Sequence, residues 1–471
     1  MFLSRRLPFV PTLLAVALLA GCTVGPDYHT PTAPVPVAFK EADGWKAAQP
    51  ADATPRGQWW ALYQDPVLAG LLDQVSLNNQ NVASYAAQYR QALALVRGSQ
   101  ADQLPTVSGT LASTRSQTGS GSSSQGTGQG GVSNAHSATL SLSWEADLWG
   151  KLRRTVEENR ASAEASAAQL ASATLSAQSS LAQDYFQLRL LDQQLALYRE
   201  TVATYQRYVE VTRNKYDAEL TTRADLAQAQ TQLEGAQASL LDTTWQRAQY
   251  EHAIALLIGQ APAGFSLAAD PHWQYRVPQV PVGVPSRLLE RRPDIAAAER
   301  QVAAANAAVG VATAAYYPDL TLSASGGYQG SVFSKLVNVP NRFWSIGPSL
   351  AGTLLDFGAT RASVEQAQAG YDAQVASYRQ TVLSGLGEVE DYLVQLRTQA
   401  PEIDARQRQV AAAEESARVT LDQYDAGKID YLDVATTQAT LLSARQSLLT
   451  LVSTQMVTSV ELIAALGGGW D

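Results

Sequence analysis

The fold is decided by the stretch from Lys151 to Asp217, which reads KLRRTVEENRASAEASAAQLASATLSAQSSLAQDYFQLRLLDQQLALYRETVATYQRYVEVTRNKYD. It contains neither Gly nor Pro, the two residues that most readily break a helix, so it predicts one uninterrupted α-helix. At a rise of about 1.5 Å per residue, such a helix would be roughly 95 Å long. Because this is several times the length of an ordinary globular helix, it needs packing partners along its whole length.

Apolar residues along this helix predict one such partner. They recur at alternating spacings of three and four: Leu188, Leu191, Leu195, Tyr198, Val202, Tyr205 and Val209. This spacing is typical of the narrow seam of a coiled coil. The segment from Tyr216 to Asp225 then predicts a tight reversal, after which a second helix runs to about Ile258.

The same design occurs twice in the chain. The segment YDAGKIDYLD, from Tyr424 to Asp433, matches YDAELTTRAD, from Tyr216 to Asp225, at a separation of 208 residues (424 minus 216). The register also aligns Trp149-Gly150 with Phe357-Gly358, Arg153 with Arg361, Glu157 with Glu365, Gln230 with Gln438 and Gly259 with Gly467. A constant register of this kind indicates a tandem duplication. Each copy is predicted to contain two strands, a long helix, a reversal and a shorter helix.

The composition excludes several classes of function. A net charge of −9 argues against nucleic acid as a partner, and a single cysteine excludes an intramolecular disulfide. The histidines have no metal-ligand spacing, and they are His29, His136, His252 and His272. Since no catalytic triad, phosphate-binding loop or paired-carboxylate pocket is recognisable, the sequence predicts neither an enzyme nor a cofactor.

The beginning of the chain predicts export and lipid attachment. Two arginines precede an apolar run over residues 7–20, as in a signal peptide, and the run is too short to span a membrane. It ends in Leu19-Ala-Gly-Cys22, which resembles the lipobox of bacterial lipoproteins. The resemblance implies cleavage before Cys22 and acylation of that residue, and several acyl chains hold a protein stably on a membrane. Thr23 stands where an Asp would retain a lipoprotein in the inner membrane, so outer-membrane sorting is expected. A plain secretory signal is the alternative.

Four short runs alternate apolar with small polar residues, and they cover residues 107–115, 138–146, 320–328 and 344–354. Such runs are typical of a transmembrane β-barrel, and a soluble β-sandwich is the alternative. Trp144, Trp149 and Trp344 lie near strand ends, which favours the membrane interpretation. Pro348 is unexpected inside a strand.

Four strands cannot close a barrel alone. The smallest bacterial outer-membrane barrels have about eight strands, and an open edge in lipid leaves backbone groups unpaired. If the strands span a membrane, several chains must therefore share one barrel. Three copies would give twelve strands, although the strand count does not fix the number of copies.

These features together resemble the TolC/OprM (NodT-type) outer membrane factors over essentially the whole mature chain. The motifs that carry the resemblance are Gln58-Trp-Trp60 with Asp65-Pro66, Arg291-Arg-Pro-Asp294, Tyr317-Pro-Asp-Leu320, Gly347-Pro-Ser-Leu350 and Asp356-Phe-Gly358. The resemblance implies an α+β membrane protein with four barrel strands and long coiled α-helices per chain. Three chains would form a 12-stranded β-barrel on a periplasmic α-barrel.

The expected division of the chain has five parts. They are a lipoprotein signal peptide (1–21), an extended N-terminal segment with the lipid anchor (22–66), a first repeat (67–259), an equatorial linker (260–285) and a second repeat (286–471). Within the first repeat, one helix is expected from about Val67 to Ala101. Pro401, inside the second long helix, should kink or interrupt that helix.

The resemblance implies the outer-membrane exit duct of a tripartite efflux pump, which conducts drugs or other small solutes passively. The implied partners are two further copies in a homotrimer, a periplasmic membrane-fusion adaptor, an inner-membrane transporter of the RND or another class, and outer-membrane lipid. The implied location is the outer membrane, with an extension into the periplasm. The alternatives are a type I secretion channel and a non-channel trimeric coiled-coil lipoprotein.

The resemblance places a gate at the two reversals. Asp433 corresponds to the family's pore-constricting aspartate, with Asp430 close enough to compete for that role, and Asp225 is the first-copy counterpart of Asp433. Tyr424 corresponds to a tyrosine that ties neighbouring helices in the closed state. Carboxylates gathered around a symmetry axis repel one another and attract cations. The alternative is helix capping, since Asp430 and Thr222 occupy cap positions.

Adaptor docking is expected at the same reversals, around Gly427, Tyr216 and Glu219. Gly427 keeps the family's glycine, whereas Glu219 replaces it in the first copy, so the first docking groove is expected to be altered. Ile429 stands where the family's tip lock has an arginine, which leaves the closed-state ionic network open.

Overall fold

A computed structural model of the chain describes residues 23–41, 58–117, 131–278 and 291–468. The predicted signal peptide and Cys22 lie outside the described residues, as does the C-terminal end of the predicted equatorial linker. Eleven principal helices and strands occur in the described residues. In chain order they are α1 (Pro66–Asn78), α2 (Gln80–Ala101), β1 (Thr106–Gln117), β2 (Val132–Ala146), α3 (Lys151–Asp217), α4 (Arg223–Leu257), α5 (Pro293–Ala314), β3 (Asp319–Gly330), β4 (Arg342–Ala351), α6 (Ala359–Asp425) and α7 (Tyr431–Ala465). The predicted α+β class is confirmed.

The corresponding helices of the two copies are equal in length, as are β1 and β3, whereas β2 has 15 residues and β4 has 10. The long helices α3 and α6 have 67 residues each, and the shorter helices α4 and α7 have 35 each. The preceding helices α2 and α5 have 22 residues each, and strands β1 and β3 have 12 each. Because equal lengths preserve the same register on both sides of each reversal, the duplication read from the sequence is also a duplication of structure.

The chain divides into two units, which we describe separately. Among the described residues, the strand unit comprises 23–32, 89–117, 131–166 and 298–378, and the helical unit comprises 33–41, 58–88, 167–278, 291–297 and 379–468.

The strand unit is built on an antiparallel four-stranded sheet with the order β1-β2-β3-β4. Thr106 of β1 lies opposite Ser143 of β2, and Asp319 of β3 lies opposite Ala351 of β4. Large apolar side chains on the sheet are exposed, and they include Leu111, Leu140, Trp344, Ile346 and Leu350. Strands β1 and β4 are the two edges of the sheet within one chain, and Pro348 lies on β4, opposite Leu322 of β3.

An extended N-terminal segment packs on the helices of the strand unit. The N–H of Val24 donates to the carbonyl of Trp149 at 3.0 Å, and the guanidinium of Arg154 contacts Asp27 at 2.9 Å. The side chain of Asn306 donates to the carbonyl of Pro26 at 3.0 Å. These contacts pair backbone groups of a segment that has no regular structure of its own.

The apolar seam of α3 forms the core of the helical unit, as the spacing predicts. Leu188, Leu191, Leu195, Tyr205 and Val209 are all buried.

The core of the helical unit also contains a buried group of ion pairs. The fully buried Asp192 carboxylate accepts from Arg189 at 2.9 Å and from Arg247 at 2.6 Å. Both arginines also donate to carbonyls of residues 267–268, which attaches the chain that follows α4 to the helices.

Three predicted boundaries in the first copy and the sheet are wrong. Strand β2 begins at Val132, six residues before the predicted start at Ala138, because it continues to pair with β1 as far as Gln117. The expected single helix from Val67 to Ala101 is broken at Asn79, whose side chain accepts from the N–H groups of Asn81 (3.0 Å) and Val82 (3.1 Å) and thereby caps α2. Strand β4 ends at Ala351 and not at Leu354. The reason is that β3 begins at the residue opposite Ala351, so the next three residues have no partner strand in the part of the chain that the structure describes.

Helix α6 continues through Pro401, so the predicted interruption there is wrong, while the kink stays a prediction.

Helix α7 is the one helix among the described residues that is long and apolar enough to cross a bilayer. Core helices also meet that criterion, however, and Val460 and Leu462 of α7 are fully buried. We therefore assign α7 to the core of the helical unit.

Candidate functional site at the helix reversals

The first reversal closes with a Schellman motif at the end of α3. The N–H of Glu219 donates to the carbonyl of Tyr216 at 2.9 Å, and the N–H of Leu220 donates to the carbonyl of Lys215 at 2.8 Å. Glu219 occupies the left-handed position of this motif, with φ of 60°. Since the Cβ of an L-residue clashes with its own backbone there, this conformation costs about 1 kcal/mol relative to glycine.

The second reversal has the same backbone at the end of α6. The N–H of Gly427 donates to the carbonyl of Tyr424 at 3.0 Å, and the N–H of Lys428 donates to the carbonyl of Gln423 at 2.9 Å. Gly427 has φ of 69°, and no atom lies within 4 Å of the place where a Cβ would stand. The duplication therefore preserves the turn geometry, but only the second copy fills the left-handed position with glycine.

A capping box begins α4 in the first copy. The Thr222 hydroxyl accepts from the N–H of Asp225 at 3.2 Å, and the Asp225 carboxylate accepts from the N–H of Thr222 at 3.1 Å. The hydroxyl of Thr221 donates to the same carboxylate at 2.8 Å. The hydrogen bond from the Thr222 hydroxyl is the main reason why the pKa of Asp225 lies below its ordinary value. The capping interpretation therefore accounts for Asp225.

The corresponding carboxylates of the second copy do not cap α7. Asp430 occupies the N-cap position through its backbone, but its side chain makes no capping hydrogen bond. The N–H of Asp433 donates to the backbone carbonyl of Asp430 at 3.3 Å. Both side chains are exposed, and neither forms an ion pair with any residue that the structure describes. Two acidic groups thus stand at the start of α7 without a capping hydrogen bond or an ion pair among the described residues.

An aromatic cluster holds the second reversal against α3. The ring centroids of Tyr424 and Tyr431 are 5.9 Å apart, and those of Tyr431 and Tyr208 are 6.3 Å apart. All three tyrosines are buried, and Tyr205 extends the cluster at 6.4 Å from Tyr208. The ammonium of Lys215 lies 3.7 Å from the centre of the Tyr424 ring, in a cation–π contact.

Sequence reasoning identified Tyr424 but missed Tyr431 and Lys215. Tyr431 corresponds to the exposed Arg223 in the first copy. This change from a charged to an aromatic residue at aligned positions could have indicated that Tyr431 is buried. Ile429 packs against the same cluster and is partly buried. Ile429, where the resemblance implies an arginine, therefore contributes apolar packing. Tyr216 lies outside the cluster although it aligns with Tyr424.

A groove of about 540 Å³ runs along α7 and begins at Ala435, shortly after the second reversal. Small residues of α7 form its floor, including Ala435, Ala439 and Ser443, and Gln232 of α4 and Arg406 of α6 stand at its walls. Small side chains permit close approach of another helix, and the amide and guanidinium groups offer hydrogen-bond donors. Among the described residues, no cluster of histidine, cysteine or acidic side chains is arranged to hold a metal ion.

The chain matches the family model described as outer membrane efflux protein over residues 71–260 and 284–468. It is 30% identical to the toluene efflux pump outer membrane protein TtgC of Pseudomonas putida, over 96% of this chain and 94% of that protein. It is 28% identical to the cation efflux system protein CusC of Escherichia coli, over 98% of each chain. Among solved structures, the outer-membrane channel OprN matches with a TM-score of 0.85 and 29% identity, over 95% of this chain and 100% of that chain.

Proposed function

This chain belongs to the outer membrane efflux protein family, and from that premise we propose how it conducts and how it closes. Its role is that of the outer-membrane exit duct of an efflux pump, which is a transport function and not catalysis. Its location is accordingly the outer membrane, with an extension into the periplasm. The non-channel coiled-coil alternative is thereby set aside.

We infer that three copies form the duct. Each chain contributes four strands with exposed apolar side chains and two open edges, which cannot stand alone in lipid. Three copies supply twelve strands, enough for a closed outer-membrane barrel, because such barrels contain eight or more strands. The same threefold arrangement would bring three second-copy reversals around one axis.

The proposed gate is formed by Asp430 and Asp433 of each copy. The observation that carries this assignment is that both carboxylates are exposed and unpaired in the described structure, whereas Asp225 is engaged in a capping box. Around a threefold axis the second-copy carboxylates would form a ring that repels anions and narrows the pore. The aromatic cluster of Tyr424, Tyr431 and Tyr208 would hold these carboxylates in place in the closed state.

We further propose that a periplasmic adaptor docks at the reversals and links the duct to an inner-membrane transporter, with the RND class favoured. Gly427 and the groove floored by Ala435, Ala439 and Ser443 are suited to an incoming helix. At the first reversal, Tyr216 and Glu219 would offer an acidic surface, because a glutamate side chain occupies the position that Gly427 leaves open in the second copy. Docking strength should therefore differ between the two reversals.

The lipid anchor at Cys22 and the five-part division of the chain remain proposals that rest on the sequence. The transported solutes are proposed to be small molecules. One relative is a toluene efflux protein and another belongs to a cation efflux system, so the duct architecture serves cargo of different chemistry.

Single-channel conductance in planar bilayers tests this proposal. We expect the purified wild type to form a low-conductance pore, and Asp430→Ala/Asp433→Ala to raise the conductance or open probability several-fold. Asp404→Ala is the matched control, since it removes an exposed aspartate from the middle of α6 and should change nothing. If no pore forms, the channel function is wrong. If pores form but the double variant conducts like wild type, the gate assignment is wrong.

A further inference from the structure

We propose that the outer surface of the sheet binds phosphorylated lipids of the outer leaflet at its tip end. The tip end is the end at which β1 and β3 finish and β2 and β4 begin, and the helix end is the opposite one, where β2 leads into α3. The inference rests on the proposed duct, in which the helix end faces the periplasm and the tip end faces the exterior. It is drawn entirely from the strand unit.

Positive charge is concentrated at the tip end without any acidic residue. Residues 106–144 and 320–351 contain no aspartate or glutamate, and their only basic residues are Arg115, Lys335 and Arg342. Arg115 lies near the end of β1, Arg342 is the first residue of β4, and Lys335 lies between β3 and β4. All three therefore belong to the tip end, in a chain whose net charge is −9.

The helix end of the sheet has a different arrangement of charge. Glu145 and Asp319 lie there, and the ammonium of Lys151 contacts them at 3.5 and 3.3 Å. The three basic residues of the tip end, in contrast, form no ion pair with any residue that the structure describes. Because these charges are not compensated by described residues, the tip end is suited to an anionic partner from outside the chain.

The pairing register places both arginines of the tip end on the apolar face of the sheet. Side chains alternate along a strand, so Arg342 shares a face with Trp344, and Arg115 shares a face with Leu111. These two faces are the same one, because residues directly opposite each other share a face. The row of opposite residues that connects them is Leu111, Ala138, Tyr328 and Arg342. Leu111 is 71% exposed and Trp344 is 74% exposed, so the arginines border an open apolar surface.

An apolar surface with cations along one border fits an amphiphile that has an anionic head group. The apolar side chains would contact acyl chains, while arginines on a membrane surface extend their charge towards the polar layer. Guanidinium groups bind phosphate through parallel N–H donors. Trp344 and Tyr328 lie beside Arg342 on this face, and both residue types are enriched at membrane–water interfaces. The arginines therefore stand at the level of lipid head groups.

The connection between β3 and β4 extends the same surface. The ring of Phe333 packs against that of His136 with centroids 5.5 Å apart, and His136 lies on the apolar face by the alternation of β2. The side chain of Asn341 donates to the carbonyl of Lys335 at 2.7 Å, which stabilises the connection. Phe333 is itself exposed. The third cation thus also stands beside an exposed apolar side chain.

Titration with bisphosphorylated lipid A, followed by native mass spectrometry of the full-length protein in neutral detergent, tests the proposal. We expect the wild type to bind it at least about tenfold more tightly than phosphatidylcholine, which has no net charge. Arg115→Gln/Arg342→Gln should weaken this binding about 25-fold, since each basic residue near an anionic lipid surface contributes about a factor of five. Arg115→Lys/Arg342→Lys keeps both charges and should retain binding within about threefold.

Two further variants and one competitor define the result. Arg361→Gln/Arg408→Gln removes two exposed arginines from α6 and should leave lipid binding unchanged. Lys335→Gln lies outside the strands and should weaken binding about fivefold, which tests the surface even if the double variant does not fold. Inorganic phosphate at millimolar concentration should not displace lipid A, because it cannot contact the apolar face.

The outcomes separate this proposal from the proposed function. Equal affinity of the wild type for lipid A and phosphatidylcholine, or equal weakening by the α6 variant, would overturn the lipid surface. Displacement by inorganic phosphate would identify a site for free phosphate and would also overturn it. Since both arginines lie on the apolar face, their Gln variant should conduct like wild type in planar bilayers. Wild-type protein that never forms a pore would overturn the proposed function itself.

Discussion

The two helix reversals have the same turn geometry but are stabilised by different interactions. The first reversal is held by local hydrogen bonds between Thr222 and Asp225, and its left-handed position is filled by Glu219. The second has glycine at that position and is held by the packing of Tyr431 and Tyr424. Local bonds engage the first-copy carboxylate, whereas long-range packing leaves the second-copy carboxylates exposed. Duplication has preserved the turn while the two copies have acquired different chemistry.

The largest expected effect comes from the aromatic cluster. Tyr431→Ala removes a side chain that is 1% exposed and should destabilise the second reversal by about 3 kcal/mol, as for other buried aromatic truncations. The matched variant is Arg223→Ala, the exposed first-copy counterpart, which should change stability by less than about 0.5 kcal/mol. Amide hydrogen exchange of both reversals, measured by mass spectrometry, gives both values. Equal losses would show that the two reversals do not differ in packing.

Glycine and glutamate at the left-handed position should have effects of opposite sign. Gly427→Ala should destabilise the second reversal by about 1 kcal/mol, because open space around it leaves backbone strain as the main cost. Glu219→Gly should stabilise the first reversal, partly offset by the greater freedom of glycine in the unfolded chain. Amide hydrogen exchange of the two reversals, measured by mass spectrometry, reports both changes in stability. A destabilised Glu219→Gly would mean that the Glu219 side chain makes a contact that compensates the strain.

Removal of the cap should affect only the first reversal. Thr222→Ala deletes the capping box and should cost about 1 kcal/mol in the first turn of α4. Asp430→Ala is the matched change at the second N-cap, where the side chain makes no capping bond, so its cost should be under about 0.5 kcal/mol. Protection of the first-turn amides in α4 and α7 reports each effect. A larger loss for Asp430→Ala would reverse the comparison.

The capping box should also make the first reversal sensitive to acid. The folded-state pKa of Asp225 lies below its ordinary value of 3.8, so its stabilisation is complete above that value and is lost as the pH falls through the lower folded pKa. Exchange protection at the start of α4 should therefore decrease below about pH 4. In Asp225→Asn this decrease should be absent. A decrease of the same size in that variant would assign the effect to another group.

The smallest effect is expected from Lys215. Replacing it with Gln removes a cation–π contact with Tyr424 and should cost about 0.5 kcal/mol at the second reversal, whereas Lys215→Arg should retain most of it. Comparison of the two variants by hydrogen exchange isolates the contribution of the positive charge to the stability of the second reversal. Identical behaviour of the Gln and Arg variants would indicate that Lys215 contributes only its aliphatic chain.

Features set by local sequence could be predicted well. The uninterrupted course of α3 follows from the absence of Gly and Pro, and the strands follow from alternation, because both patterns depend on neighbouring residues. The buried seam from Leu188 to Val209 was predicted for the same reason. Because of the duplication, the elements of the second copy could be predicted from those of the first.

Features that depend on distant contacts could not be predicted. The break at Asn79 is stabilised by a hydrogen bond from its side chain to the carbonyl of Leu257 at 2.8 Å, far away in sequence. The burial of Tyr431 depends on Tyr208 of another helix, so the aromatic cluster was only partly identified. The end of β4 at Ala351 depends on where β3 begins. In each case a partner distant in the chain decides the outcome.

The equal lengths of the paired helices restrict how the two copies can change. Deleting one residue from α3 alone would shorten it by about 1.5 Å and turn everything beyond the deletion by about 100° around the helix axis. The first reversal would then be out of step with the second, whose 67-residue helix is unchanged. Insertions and deletions in these helices should therefore be tolerated only when they come in whole heptads and are matched in the other copy.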